Sequence, residues 1–451
     1  MRTQSQLAKL GLFDARVPRY TSYPTAPHFS TEVGGGHFSD WLRSLPAGGR
    51  ISLYVHVPFC RRLCWFCACR TQGTSSDAPV RAYLDTLKHE IALLRDALPA
   101  DVTLSRLHWG GGTPTLLSPE MMTELAQEIM SVVPLDHGAE FSVEIDPNEI
   151  DAARLDALVA AGMTRASIGV QDFDPQIQAT IGREQSYEVT RDTVEGLRAH
   201  GVQSLNADIL YGLPHQTPTG IAITVQKLLS LSPDRVALYG YAHVPWMARR
   251  QQLIPSETLP RPEARLELFE TARKLFEWDG YAGIGIDHFA RPQDGLAIAA
   301  RDGRLRRNFQ GYTDDTATAL IGLGASSISR FPQGYAQNAA STSDYSKAVR
   351  GGRFATARGH VFGGDDLLRA RVIESLMCDF AVDFAAIAQD FGTGKHRIAE
   401  MAAPVAEKFA GFVELSAEGL TITRHGRPLT RMIARDFDAY DLSTAGHSSA
   451  V

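Results

Sequence analysis

The chain has 451 residues, 44% hydrophobic and 21% charged, an ordinary globular composition long enough for two or three domains, which excludes disorder and collagen-like repetition. Its 45 Lys and Arg against 51 Asp and Glu give a formal charge of -6, so no global basic field recruits nucleic acid or an anionic membrane, and any bound anion must be held locally. No apolar run approaches the ~18 residues of a spanning helix, and Met1 to Tyr20 lacks a signal-peptide core, so a cytoplasmic protein with no membrane and no nucleic-acid partner is expected.

Residues 1–50 read as an N-terminal arm, with Pro18 to Thr25 too irregular for the interior of a helix or strand. From residue 51 the chain alternates β-rich runs with helical patterns, the signature of βα units around a parallel sheet. The runs are Ile51 to Val57, Leu104 to Trp109, Glu140 to Ile145, Arg165 to Val170, Ser204 to Leu210 and Arg235 to Tyr241. Between the first two, Val80, Leu84, Leu87, Ile91, Leu94 and Leu98 repeat at steps of three and four and form one buried helical stripe. Ser118-Pro119 starts the next helix as N-cap and first-turn proline. Gly162, Gly201 and Gly280 stop later ones. The fold class is therefore α/β, a partial (β/α)6 barrel over residues 51–345.

Reactive groups in such barrels gather where strands end, on the C-terminal face. Those positions hold the cysteine loop, Gly110 to Thr113, Asp146 just beyond Glu144, Gln171-Asp172, Tyr211-Gly212 and Ala242-His243. Residues 346–365, rich in Ser, Gly and Arg, read as a linker. Residues 366–451 read as a smaller, mainly helical, winged-helix-like domain: a helix through Leu368, Val372 and Leu376, then a hairpin over Phe412 to Thr423. Over residues 360–451 there are nine Lys/Arg and thirteen Asp/Glu, the wrong balance for a phosphate-contacting surface. The small, polar closing stretch Ser443 to Val451 is expected to fray.

Four of the five cysteines fall within ten residues: Cys60, Cys64, Cys67 and Cys69, leaving Cys378 as an ordinary core residue. A disulfide framework does not suit a chain of this size in a reducing compartment. Structural zinc asks for four ligands, usually in paired C-x2-C knuckles, and no second pair exists. Arg61 and Arg62 make the loop too polar for buried hydrophobes. The C-x3-C-x2-C spacing fits an iron-sulfur cluster in which three thiolates leave one iron open.

Cys60-x3-Cys64-x2-Cys67 directly after the first strand, with Gly110-Gly111-Gly112-Thr113-Pro114 after the second, resembles the radical S-adenosylmethionine (SAM) enzymes. Pro18 to Thr25, Tyr54 to Cys60, Cys69, Gly169 to Phe173, Tyr211 to Pro214 and Arg307 to Thr313 narrow the resemblance to the oxygen-independent coproporphyrinogen III oxidases, over about residues 18–435. The resemblance implies a [4Fe-4S] cluster on Cys60, Cys64 and Cys67 and a separate, essential role for Cys69. It implies SAM contacts by Tyr54, Phe66, Gly111, Gly112, Thr113, Glu144, Gln171, Arg183, Asp208, Ala242 and Ile328, with room for two SAM molecules. Trp65 stands where relatives often carry tyrosine.

The implied reaction is oxidative decarboxylation of two propionates of coproporphyrinogen III to vinyl groups, giving protoporphyrinogen IX for haem synthesis. It is initiated by a 5′-deoxyadenosyl radical, with a flavodoxin- or ferredoxin-like low-potential electron donor and a monomeric enzyme. A haem chaperone-like paralogue, disfavoured by Cys69, and another radical SAM reaction on a tetrapyrrole are the alternatives. The substrate's four carboxylates call for local cations, for which Arg19, Arg291 and Arg307 are candidates. The arm from Tyr20 to Thr25 is expected to fold over the barrel mouth when substrate binds.

Overall fold

The computed structural model describes residues 5–441, 449 and 450. All six expected barrel strands form: β1 (Arg50–Val57), β2 (Thr103–Gly111), β3 (Leu135–Ile145), β4 (Arg165–Gln171), β5 (Ser204–Tyr211) and β6 (Arg235–Gly240). Each pairs in parallel with the next. Their alternation decides the layers. Leu53, Val55 and Val57 of β1 join the apolar core under the helices, whereas Tyr54 and His56 turn to the barrel interior. The helix Ala78–Ala97 buries Val80, Leu84, Leu87, Ile91 and Leu94 as the three-and-four periodicity requires. Ser118 caps the next helix by accepting from the Met121 N–H at 3.3 Å. Gly162, Gly201 and Gly280 end their helices at φ of +91°, +80° and +83°, where a Cβ would be strained.

The sheet continues past both edges of the barrel. Beyond β6 lie β7 (Ala282–Ile284) and β8 (His288–Ala290), with β8 antiparallel to β6. Beyond β1 lie β9 (Ala319–Leu323), parallel to it, and then antiparallel β10 (Ile328–Phe331), β11 (Gly334–Asn338) and β12 (Thr356–Val361). The result is one twelve-stranded sheet in the order β12-β11-β10-β9-β1-β2-β3-β4-β5-β6-β8-β7.

Three expectations change here. Residues 346–365 are no linker: they hold the end of the helix Thr342–Arg350 and the whole of β12. Gly359, one of the glycines that suggested a linker, sits where a Cβ would lie 2.0 Å from the Tyr335 carbonyl oxygen, and it bonds both ways with the Ser30 backbone. The arm is no free flap. Leu12, Val17, Tyr20 and Tyr23 belong to the core of the C-terminal domain with Val372, Leu376 and Phe384. Tyr20 donates to Asp438 at 2.9 Å, and the helix Gly35–Arg43 packs Phe38 edge-on against Phe331 at 5.4 Å. Of the tail from Ser443, only Ser449 and Ala450 are described, and these are tied down: the Ala450 N–H donates to the Ala15 carbonyl at 2.8 Å.

The C-terminal part comprises the helix Asp366–Asp379, β13 (Ala381–Asp383), the helices Phe384–Phe391 and Lys395–Lys408, β14 (Val413–Leu415), β15 (Gly419–Ile422) and the helix Thr430–Arg435. Its sheet is antiparallel, in the order β13-β15-β14, the winged arrangement the sequence suggests. Cys378 is buried beside Ile284, Leu296 and Tyr312, at the seam between this domain and the open edge of the barrel.

Candidate active site

The cysteine loop leaves β1 at Pro58 and is closed by a short pairing of Phe59–Cys60 with Gln72–Gly73. The Trp65 N–H donates to the Ile181 carbonyl at 2.9 Å, and the Trp65 ring lies so close over Gly182 that a Cβ there would come within 2.9 Å of it. This docks the loop onto the turn before Arg183. Arg183 is a hub: Nη1 reaches the Cys64 sulfur at 3.6 Å and Asp146 at 3.2 Å, while Nη2 donates to the Gly169 carbonyl and Gln185 at 3.0 Å each. The Cys69 N–H points at the Cys67 sulfur, 3.4 Å away. The Cys69 thiol draws the Cys67 thiol below its ordinary range, whereas burial pushes Cys60 up to about 11.

Among the described residues no three His, Cys, Asp or Glu side chains close around a single metal-ion position. Ligands of a cubane cluster stand on different irons and need not converge on one point. An all-thiol donor set, with a guanidinium beside one sulfur and an N–H on another, suits a thiolate-held iron-sulfur cluster.

Gly110, Gly111 and Gly112 allow three close approaches. A Cβ would meet Glu144 Oε1 at 2.7 Å, the His56 ring at 2.6 Å and the Phe59 carbonyl at 2.5 Å respectively. Their N–H groups are largely spent inside the protein: Gly111 on Glu144 at 3.0 Å, Gly112 on the Val57 carbonyl and Thr113 on the Phe59 carbonyl at 2.8 Å each. Burial pushes Glu144 up, but His108, 3.4 Å away, and the Gly111 N–H more than offset it, so its carboxyl is held below the usual range. Tyr54 stacks on His108 at 5.6 Å and its hydroxyl meets His56 Nδ1 at 3.0 Å. Burial raises Asp208 to about 6; an Asn206 hydrogen bond opposes this, and the Glu144 charge adds to it.

The remaining expected residues lie at strand ends or in the cysteine loop. Gln171 ends β4 at φ +67°, a left-handed conformation at a register shift, which brings its side-chain nitrogen over Gly169 beside Arg183. Phe66 joins an apolar cluster with Trp65, Ile177, Leu210 and Tyr241. Ala242 is joined to it by Gln251, whose Nε2 donates to the Phe66 carbonyl at 2.7 Å and the Ala242 carbonyl at 3.0 Å. Ile328 lies against Gly322, which is in register with Tyr54.

Sequence reasoning missed His108 and Gln251. His108 is signalled only by alternation on β2, and Gln251 sits in the short 3-10 helix Arg249–Leu253, which carries no motif. Arg250 was missed too: it donates to the Cys69 carbonyl at 3.2 Å and Thr71 at 2.9 Å.

Past Asp208 the barrel opens, between β5, β6, β8 and the C-terminal domain, into a cavity of about 480 Å³. His288 stands between, lining the cavity and sensed electrostatically by Asp208. Seven arginines line the cavity, among them Arg19, Arg307, Arg424 and Arg431, against the acids Glu270, Glu277 and Asp287. Arg19 and Arg307 are thus where the sequence suggests cations, but Arg291 is not: it stacks on Tyr281 at 4.3 Å and pairs with Asp279 at 3.4 Å, outside the cavity.

Residues 54–228 match the model of the Radical SAM superfamily. Curated relatives named oxygen-independent coproporphyrinogen III oxidase include one from Paracoccus denitrificans, 64% identical over the full length of both chains, and one from Cereibacter sphaeroides, 63% identical over 98% of each. A solved structure of coproporphyrinogen III oxidase from Escherichia coli, described as a radical SAM enzyme, superposes with a TM-score of 0.89 at 38% identity, covering 95% of this chain and 100% of that one. The chain belongs to the oxygen-independent coproporphyrinogen III oxidase family of the radical SAM superfamily.

Proposed function

We infer that the chain converts coproporphyrinogen III to protoporphyrinogen IX without oxygen, by oxidative decarboxylation of two propionates to vinyl groups. The observation that carries this reading is continuity: a thiol loop built for a cluster, a ring of SAM-compatible polar groups and an arginine-lined cavity follow one another along one barrel. The bound [4Fe-4S] cluster, with SAM, supplies a 5′-deoxyadenosyl radical. Each propionate would give up a β-hydrogen atom, CO₂ and one electron to become a vinyl group, the electron passing to an external one-electron acceptor.

Cys60, Cys64 and Cys67 would hold the cluster. Arg183, beside Cys64, would balance charge there, and its Nε, the one guanidinium nitrogen without a hydrogen-bond partner among the described residues, would be the donor left for a SAM carboxylate. With the Gly112 and Thr113 N–H groups already bonded, carbonyl oxygens of the glycine loop would face the SAM ammonium. Glu144, kept ionised by His108 and Gly111, adds a counter-charge. Asp208, Gln171 and Tyr54 would meet the nucleoside, Phe66 would pack on it, and Ala242 and Ile328 would border the two SAM positions.

A flavodoxin- or ferredoxin-like donor, a monomeric state and a cytoplasmic, reducing location go with this reading. Among the described residues no helix is long and apolar enough to cross a membrane. Anaerobic incubation of the reconstituted enzyme with SAM, reductant and coproporphyrinogen III, followed by mass spectrometry of the oxidised porphyrins, tests it. A product lighter by two CO₂ and four hydrogens is expected, whereas unchanged substrate or a methylated or opened ring overturns it.

A further inference from the structure

The arginines account for the substrate's carboxylates but not for one acid among them. Asp287 immediately precedes β8, and its backbone carbonyl accepts the Leu238 N–H at 2.8 Å, which fixes it at the edge of β6. Its Oδ1 accepts from His288 Nδ1 at 2.7 Å, and the nearest guanidinium nitrogen of Arg307 stands off at 4.0 Å. Glu270 and Glu277, the other two acids of the cavity, are both taken up by Arg273 at hydrogen-bond distance.

Arg307 itself is 5% exposed, and its Nε and Nη1, the latter ion-paired with Asp287 across 4.0 Å, have no hydrogen-bond partner among the described residues, so a buried donor edge is open to a ligand oxygen. An ionised acid beside that edge balances the buried guanidinium but also repels a carboxylate ligand, so a wall meant only for carboxylates leaves its place in the cavity unexplained.

A porphyrinogen explains both groups at once. Its sp³ bridges let the macrocycle pucker until its four pyrrole N–H groups converge on one side. Buried without an acceptor, those donors would oppose binding. We propose that Asp287 is the acceptor for the converging pyrrole N–H groups, so that the cavity selects the reduced, metal-free tetrapyrrole while Arg307 takes a propionate. This rests on the function proposed above. A planar metalloporphyrin has no N–H to offer and meets only the carboxylate's charge.

The test compares anaerobic equilibrium binding, without SAM, of coproporphyrinogen III and of nickel coproporphyrin III, which keeps the four propionates but lacks N–H groups and has little appetite for an axial ligand. The wild type should prefer the porphyrinogen by about tenfold or more. Asp287→Ala should abolish the preference and Asp287→Asn, which keeps one acceptor oxygen but no charge, should reduce it, with the nickel porphyrin bound as well or more tightly in both because a like charge is gone. Arg307→Gln should weaken both ligands. Equal binding of the two by the wild type, or an intact preference in Asp287→Ala, overturns the proposal; the wild-type comparison decides even if a variant fails to fold. Failure of the wild type to decarboxylate coproporphyrinogen is the separate result that would overturn the underlying function.

Discussion

At the scale of single residues, the two roles in the cysteine loop separate cleanly. Serine at Cys60, Cys64 or Cys67 removes a thiolate ligand, and each variant should lose most of its iron and its SAM cleavage after anaerobic reconstitution. Cys69→Ser should keep its iron, counted per chain, and lose decarboxylation. Iron loss in Cys69→Ser, or full iron in Cys64→Ser, would reverse the assignment. Gly112→Ala places a methyl 2.5 Å from the backbone oxygen of Phe59, which cannot swing aside as a side chain would, so the cysteine loop must shift. Slower SAM cleavage with the iron still bound is the expected signature. The cysteines and glycines were legible in the sequence because their spacing is itself the signal. His108 was not, because a histidine on the inward face of a strand looks the same whether it fills space or grips Glu144. Arg291 was misplaced because lying near a family-like motif says nothing about which way a side chain points.

At the scale of elements, Glu90 is the most telling buried group. It lies on the helix Ala78–Ala97 and accepts from the Gly324 N–H, Asn338 Nδ2 and the Tyr345 hydroxyl, each at 2.7 Å, so it ties that helix to the end of β9, to β11 and to the helix Thr342–Arg350. Burial pushes it up to about 7 although all three bonds lower it. The folded state therefore holds a proton that the unfolded chain, near 4.5, has released, and this group makes stability fall as pH rises from about 4.5 to about 7. Glu90→Gln should flatten that part of the urea-midpoint profile. It should also cost about 1–3 kcal/mol, because an amide NH₂ would face donors.

The arm is an element of a different kind. Its irregular sequence gave no hint that Leu12 and Tyr23 complete the C-terminal core, because the partners lie more than 340 residues away. Leu12→Ala should cost about 2–5 kcal/mol by urea unfolding, and a cost below 0.5 kcal/mol would restore the mobile-flap picture. The supposed linker was misread for a related reason: Gly, Ser and Arg also make an edge strand where backbones approach closely, as Gly359 does.

At the scale of the whole molecule, the barrel came through the sequence almost intact, since six strand runs and their helices follow local periodicity. The cavity did not, because arm, open barrel edge and C-terminal domain each supply part of its wall. The arrangement reconciles a chain of net charge -6 with a tetra-anionic substrate: the C-terminal part is acidic in sum yet turns Arg424, Arg427 and Arg431 inward. The apparent KM for coproporphyrinogen should accordingly rise with ionic strength while the KM for SAM changes less, and parallel changes in both would argue against charge recognition in this cavity.

The central claim is that a radical made at the cysteine loop reaches a propionate held in the arginine cavity. Coproporphyrinogen III deuterated at the propionate β-carbons tests it most directly, with deuterium in the 5′-deoxyadenosine measured by mass spectrometry beside the vinyl product. Deuterium transferred to 5′-deoxyadenosine in step with each CO₂ released is the predicted result; vinyl product formed with unlabelled 5′-deoxyadenosine would contradict the account.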